Sequence, residues 1–182
     1  FDLTRLRDVT RVQRFTADTR IDSFGNAHNI AINETSGFAY VIGSKLFDGG
    51  PAFFDINDPL NPTLVGGFSD ESYAHDAHVI TYNGPDLKYQ GKEIYFGSNS
   101  DDRVNNQVVI VDVTDKTAPT LISNITYSNG GYTHQGWLAE DHQYYYLGDE
   151  YDEPTFGNRT KTFVFDLEDL DNPVLHYNYF GP

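Results

Sequence analysis

Six histidines occur in 182 residues, and three of them, His28, His75 and His134, sit in matching surroundings: NAHN, YAHDAH and YTHQG. A neutral imidazole offers a nitrogen lone pair to a transition metal, whereas carboxylates suit calcium. Carboxylates follow each histidine at a distance: Asp48, then Asp101 and Asp102, then Asp149, Glu150, Asp152 and Glu153. If one architecture brings these segments to a common rim, His28, His75 and His134 form a candidate divalent-cation site. Asp149 and Glu150 join them as the best-held carboxylates, because they follow directly on an apolar run. The other reading is that each histidine ties a loop of one structural unit to the next by a hydrogen bond. His142 and His176 fall outside the pattern and are expected at the surface.

Other chemistries lack their residues. The chain contains no G-x-S-x-G elbow, no H-E-x-x-H, no phosphate-binding glycine loop and no complete EF-hand loop. DEYDE, from Asp149 to Glu153, lacks the turn glycine of an EF-hand and reads as a solvated acidic loop. Cysteine is absent, which removes thiolate catalysis and disulfides. A formal charge of -15 opposes binding to nucleic acid or anionic lipid and favours cations or basic partners. No apolar run approaches the roughly 18 residues of a membrane-spanning helix. Three N-x-S/T sequons, at Asn33, Asn124 and Asn158, are candidate glycosylation sites if the chain enters a eukaryotic secretory pathway.

The elements that must position the histidines come from a repeat. VVIVDVTDKTAPTL from Val108 is echoed by FFDINDPLNPTL from Phe53, by FVFDLEDLDNPVL from Phe163, and by a degenerate FDLTRLRDVT at Phe1. Aligned on Asp2, Asp55, Asp112 and Asp166, the copies recur at steps of 53, 57 and 54 residues. Each is a β-branched and aromatic run, a polar turn and a second short run, which spells a hairpin. Asp caps its own backbone in the turn, and Pro62, Pro119 and Pro173 end the pairing.

Two further strand-like runs precede each later copy, giving four-stranded units over residues 28–68, 75–127 and 134–180. Residues 1–15 read as the end of a preceding unit. The predicted fold is therefore all-β: a β-propeller-like array of four-stranded antiparallel blades, three complete and one partial. A β-sandwich or β-solenoid is the alternative. In a propeller the first strand of each blade lines the axis and starts on the rim that also carries the loop between strands two and three. Three and a half blades do not close a ring, so the open ends are expected to be covered by the remainder of the polypeptide or by neighbouring subunits.

The blocks IVDVTDK (Ile110 to Lys116), FDLTRLRDVT, AHNIAIN, FDINDPLNP, YNGPD, YTHQGWL and DLDNPVL together resemble the surface proteins with LVIVD repeats, also called choice-of-anchor B proteins. The resemblance spans nearly the whole chain. It implies an extracellular or cell-surface β-propeller whose full-length members are longer and carry varied carboxy-terminal anchors. Cysteines found in many members have no counterpart around Gly67, Val79 and Tyr95, so any disulfide bracing is missing here.

Two functional classes follow. One is a non-catalytic module for scaffolding or adhesion, with a protein or glycan ligand and a bound divalent cation, calcium or a transition metal, on its acidic rim. The other is a metal-dependent hydrolase working from the axial funnel, in which a metal-bound water attacks and a carboxylate acts as base.

Overall fold

A computed structural model describes residues 1–71, 73–101 and 104–181. Twelve strands form three separate four-stranded antiparallel sheets, each in simple meander order. The first contains β1 (Asn29–Asn33), β2 (Phe38–Ile42), β3 (Ala52–Asp55) and β4 (Thr63–Gly67). In the second are β5 (Ala74–Thr81), β6 (Glu93–Asn99), β7 (Gln107–Asp112) and β8 (Thr120–Thr126). The third comprises β9 (Thr133–Leu138), β10 (Tyr144–Asp149), β11 (Lys161–Asp166) and β12 (Val174–Phe180). The first strands are neighbours, with β5 packed between β1 and β9. Sheets that meet through their first strands are arranged as propeller blades, which distinguishes the fold from a two-sheet sandwich.

The repeated aspartate is the device that makes each hairpin turn. Asp55, Asp112 and Asp166 accept a hydrogen bond from the backbone N–H two residues on, at 2.9, 3.0 and 3.0 Å. A second such turn follows at once in each copy, from Asp58, Asp115 and Asp169. These bonds satisfy backbone donors exactly where the ladder ends. Asp2 makes the same bond to Thr4 N–H at 3.0 Å and starts a 3-10 turn at Leu3–Leu6. Residues 1–15, expected to end a preceding blade, keep this turn and form no strand.

Two cores lie between blades. Tyr40, Ile42 and Phe53 of the first blade pack with Val79, Tyr95, Val109 and Val111 of the second. Across the next interface, Ile94, Phe96, Val108 and Ile110 meet Leu138, Tyr145, Leu147, Phe163 and Phe165. Alternation along each strand therefore sends apolar side chains to both faces of the second blade, one face to each neighbour. A third, smaller core closes the outer face of the first blade, where Ile21 and Phe24 cover Ala39, Val41, Ala52 and Phe54. Phe24 and Phe54 meet edge-to-face at 5.8 Å. A segment ahead of β1 thus covers that face.

The acidic loop after β10 also differs from expectation. It forms a short helix, α1 (Asp152–Phe156), stopped by Gly157 in the left-handed conformation at φ 68°. Asp152 is only 1% exposed and lies 3.7 Å from the Lys161 ammonium, so it belongs to the interior and not to a solvated loop.

Candidate functional site

The histidines sit where the repeats place them. His28 immediately precedes β1, while His75 and His134 are the second residues of β5 and β9. Because these strands are adjacent, the three rings form a row: His28 to His75 at 3.9 Å between centroids, His75 to His134 at 4.7 Å. Tyr73 and Tyr132, two residues ahead of the histidines of their blades, turn their rings edge-on to the histidine of the previous blade, at 6.5 and 5.1 Å. Each blade thus hands an aromatic edge backwards, which holds the row in register. Burial, reinforced by the neighbouring His75 charge, pushes the His28 imidazole below its ordinary value.

Hydrogen bonding orients the central ring. His75 Nδ1 lies 3.0 Å from the His134 carbonyl oxygen. A carbonyl only accepts, so Nδ1 carries a proton, and in the neutral ring the lone pair is on Nε2. Glu150 follows β10 directly, and its backbone N–H donates to the Tyr132 carbonyl at 3.0 Å. Its carboxylate lies 4.0 Å from His134 Nε2. Ligand atoms of His75, His134 and Glu150 all fall within 4.8 Å of one another.

The remaining sequence candidates lie elsewhere. His28 lies tilted against His75 but is outside this three-residue group. Both oxygens of Asp149 are taken up in shaping the loop before β9. They accept from the backbone N–H groups of Gly131, Tyr132 and Tyr151 and from the Tyr127 hydroxyl. Asp149 thus clamps that loop. Glu153 is exposed and accepts from the Thr160 hydroxyl. Asp101 lies on its own loop, Asp48 stands in a turn at φ 52°, and Asp102 lies outside the described residues.

Of the sequons, Asn33 is 5% exposed and its amide donates to the Glu93 carboxylate at 2.8 Å. Asn124 and Asn158 are exposed, the former donating to Glu71 at 3.2 Å. His142 is half-buried and not a free surface residue, since its Nδ1 accepts the Asn83 N–H at 3.0 Å across the interface between blades two and three. His176 is exposed.

A second feature escaped the sequence reading. His78 of β5 and Trp137 of β9 stack at 3.7 Å with 14° between their planes. His78 Nδ1 also accepts the Leu138 N–H at 3.3 Å. Burial, helped by the charge of His142, pushes the His78 imidazole down to about 4. The signal was present, since both residues come three after the repeated histidine of their blades.

Trp137 begins a row that crosses the whole third blade. Register pairs Trp137 with Tyr146, Tyr146 with Val164, and Val164 with Tyr177. The equivalent row in the second blade is His78, Phe96, Ile110 and Ser123, and in the first Ala31, Tyr40, Phe53 and Gly66. Those rows face the following blade. The last member of each even meets the next blade's turn: Ser123 Oγ donates to the Leu170 carbonyl at 2.7 Å, and Gly66 abuts the Lys116 carbonyl, which a β-carbon would overlap. In the third blade Trp137, Tyr146 and Tyr177 stay 65%, 40% and 49% exposed.

No protein-family model matches the chain, and no curated protein matches it. Among solved structures, it is similar to TolB from Acinetobacter baumannii, with 14% identity and a TM-score of 0.46 over 90% of this chain and 33% of that one. The chain thus spans about a third of the length of that structure.

Proposed function

We propose that this chain is a non-catalytic, extracellular or cell-surface scaffold module that works by docking a further blade onto its third. The observation that carries this reading is the row Trp137, Tyr146, Val164 and Tyr177, three of whose four side chains are exposed at positions that in both preceding blades serve an interface. Such an aromatic face loses its contact with water when a blade packs on it, and aromatic residues dominate the energetics of such contacts. The occupant has the chemistry of the blade faces already seen here, a four-stranded sheet presenting residues of the Leu138, Tyr145 and Phe163 kind. It comes from a neighbouring subunit. Surface placement rests on the resemblance of IVDVTDK and its companion blocks. Asp149, one of the two carboxylates the hydrolase alternative would draw on, is engaged instead by the backbone N–H groups of Gly131, Tyr132 and Tyr151.

Light scattering on the purified chain tests this. Self-association that grows with concentration is expected, and Tyr146→Lys with Tyr177→Lys should abolish it while leaving the circular dichroism unchanged. A monodisperse monomer at all concentrations would contradict the docking reading.

A further inference from the structure

We propose that His75, His134 and Glu150 form a three-donor site for a divalent transition metal of the zinc, cobalt or nickel type, on the rim between the second and third blades. This goes beyond the docking reading and stands independently of it, since the rim and the exposed row of the third blade use different residues.

Donor chemistry comes first. Two imidazole nitrogens and one carboxylate oxygen suit borderline transition metals, whereas calcium requires six to eight oxygens. Placement comes second. His75 and His134 occupy the same position in adjacent innermost strands, and Glu150 is pinned by its backbone bond to the Tyr132 carbonyl. His75 and His134 ride on strand ladders and Glu150 follows directly on β10, so little backbone ordering remains for binding to impose. Ligand atoms at about 2.1 Å from a tetrahedral ion are about 3.4 Å apart. The present spread, within 4.8 Å, closes to that by side-chain rotation of the half-exposed His134 and Glu150.

Orientation supplies a third argument, from outside the donor set. His75 Nδ1–H donates to the His134 carbonyl, so the nitrogen left with a lone pair is the one free to bind. Metal-bound histidines almost always donate their other ring N–H in this way, which fixes tautomer and ring angle. His28 on one side and Tyr132 on the other wall the His75 ring in at 3.9 and 5.1 Å. Three protein donors leave the remaining coordination position to water or to a donor from a docked partner.

Cobalt(II) titration of the purified chain, followed by its visible absorption and by calorimetry, is the test. One ion per chain with nitrogen-ligand bands is expected, resistant to a large excess of calcium. His134→Ala and Glu150→Gln should each weaken binding at least about tenfold, the scale on which even supporting partners of metal ligands act. His176→Ala, at an exposed histidine remote from the rim, should leave it unchanged. Because Glu150 is solvent-exposed, Glu150→Gln remains decisive even if the histidine variant folds poorly. No cobalt band, equal affinity in wild type and Glu150→Gln, or equal loss in His176→Ala would each overturn the site.

Discussion

Glu93 shows how a single side chain holds two blades together. It stands at the start of β6, yet its carboxylate accepts from Asn33 at 2.8 Å and from Ser36 at 2.6 Å, both of the first blade. Lys116 of the second blade donates to it at 2.7 Å and to the Val113 carbonyl at 2.7 Å. Burial alone would raise the Glu93 carboxyl, but the bonds from Lys116 and Ser36 outweigh it and hold the group below its ordinary value. Removing only the cation leaves a desolvated carboxylate without its counter-charge. Lys116→Met should therefore cost about 3 kcal/mol in urea unfolding, and adding Glu93→Gln should return a large part of that loss. His78 gives a pH signature at the same scale. Its fold-imposed value of about 4 lies below the 6.5 of an unperturbed histidine, so between these limits the unfolded chain takes up a proton that the folded chain refuses. Stability attributable to this group is intact above pH 6.5, falls as the pH drops towards 4, and levels off below. The loss is on the order of 2 kcal/mol for this half-buried ring. Denaturation of His78→Gln at pH 7 and pH 5 should show a smaller difference than wild type; an equal difference would exclude His78 as the source.

The turns and the close approaches between blades decide matters at the scale of the element. Asp166 accepts the Glu168 N–H at 3.0 Å, so Asp166→Ala should cost about 1 kcal/mol, the usual worth of a lost side-chain cap. Gly66 is more demanding, because any β-carbon would strike the Lys116 carbonyl of the next blade. Gly66→Ala should destabilise by about 2 kcal/mol through overpacking, measured by thermal unfolding. The blades themselves were legible in the sequence because the Asp55, Asp112 and Asp166 turns and the flanking β-branched runs act locally, within ten residues of one another. The rim was legible for a related reason, as the repeat puts His28, His75 and His134 at equivalent strand positions. What the sequence hid was non-local. Asn33 reads as an ordinary sequon until Glu93, sixty residues on, is seen to occupy its amide. Asp149 reads as a free acid until three donors from the segment before β9 converge on it with the Tyr151 N–H. Residues 1–15 kept their Asp2 turn for the same local reason.

For the whole molecule, the two ends of the blade array differ. At the first blade, Ile21 and Phe24 cover the outer core, whereas the third blade leaves Trp137, Tyr146 and Tyr177 open to water. Repeat arrays need their terminal apolar faces covered, and here one end alone is covered by the described residues. The docking reading follows from that asymmetry, and the chain supplies its own probe, since Trp137 is the sole tryptophan and lies in the open row. Acrylamide quenching of Trp137 fluorescence should weaken as protein concentration rises, in step with the increase in mass, and should stay strong at every concentration in Tyr177→Lys. Quenching that is equally strong in wild type at all concentrations, with the mass fixed at that of a monomer, would contradict a blade-receiving face.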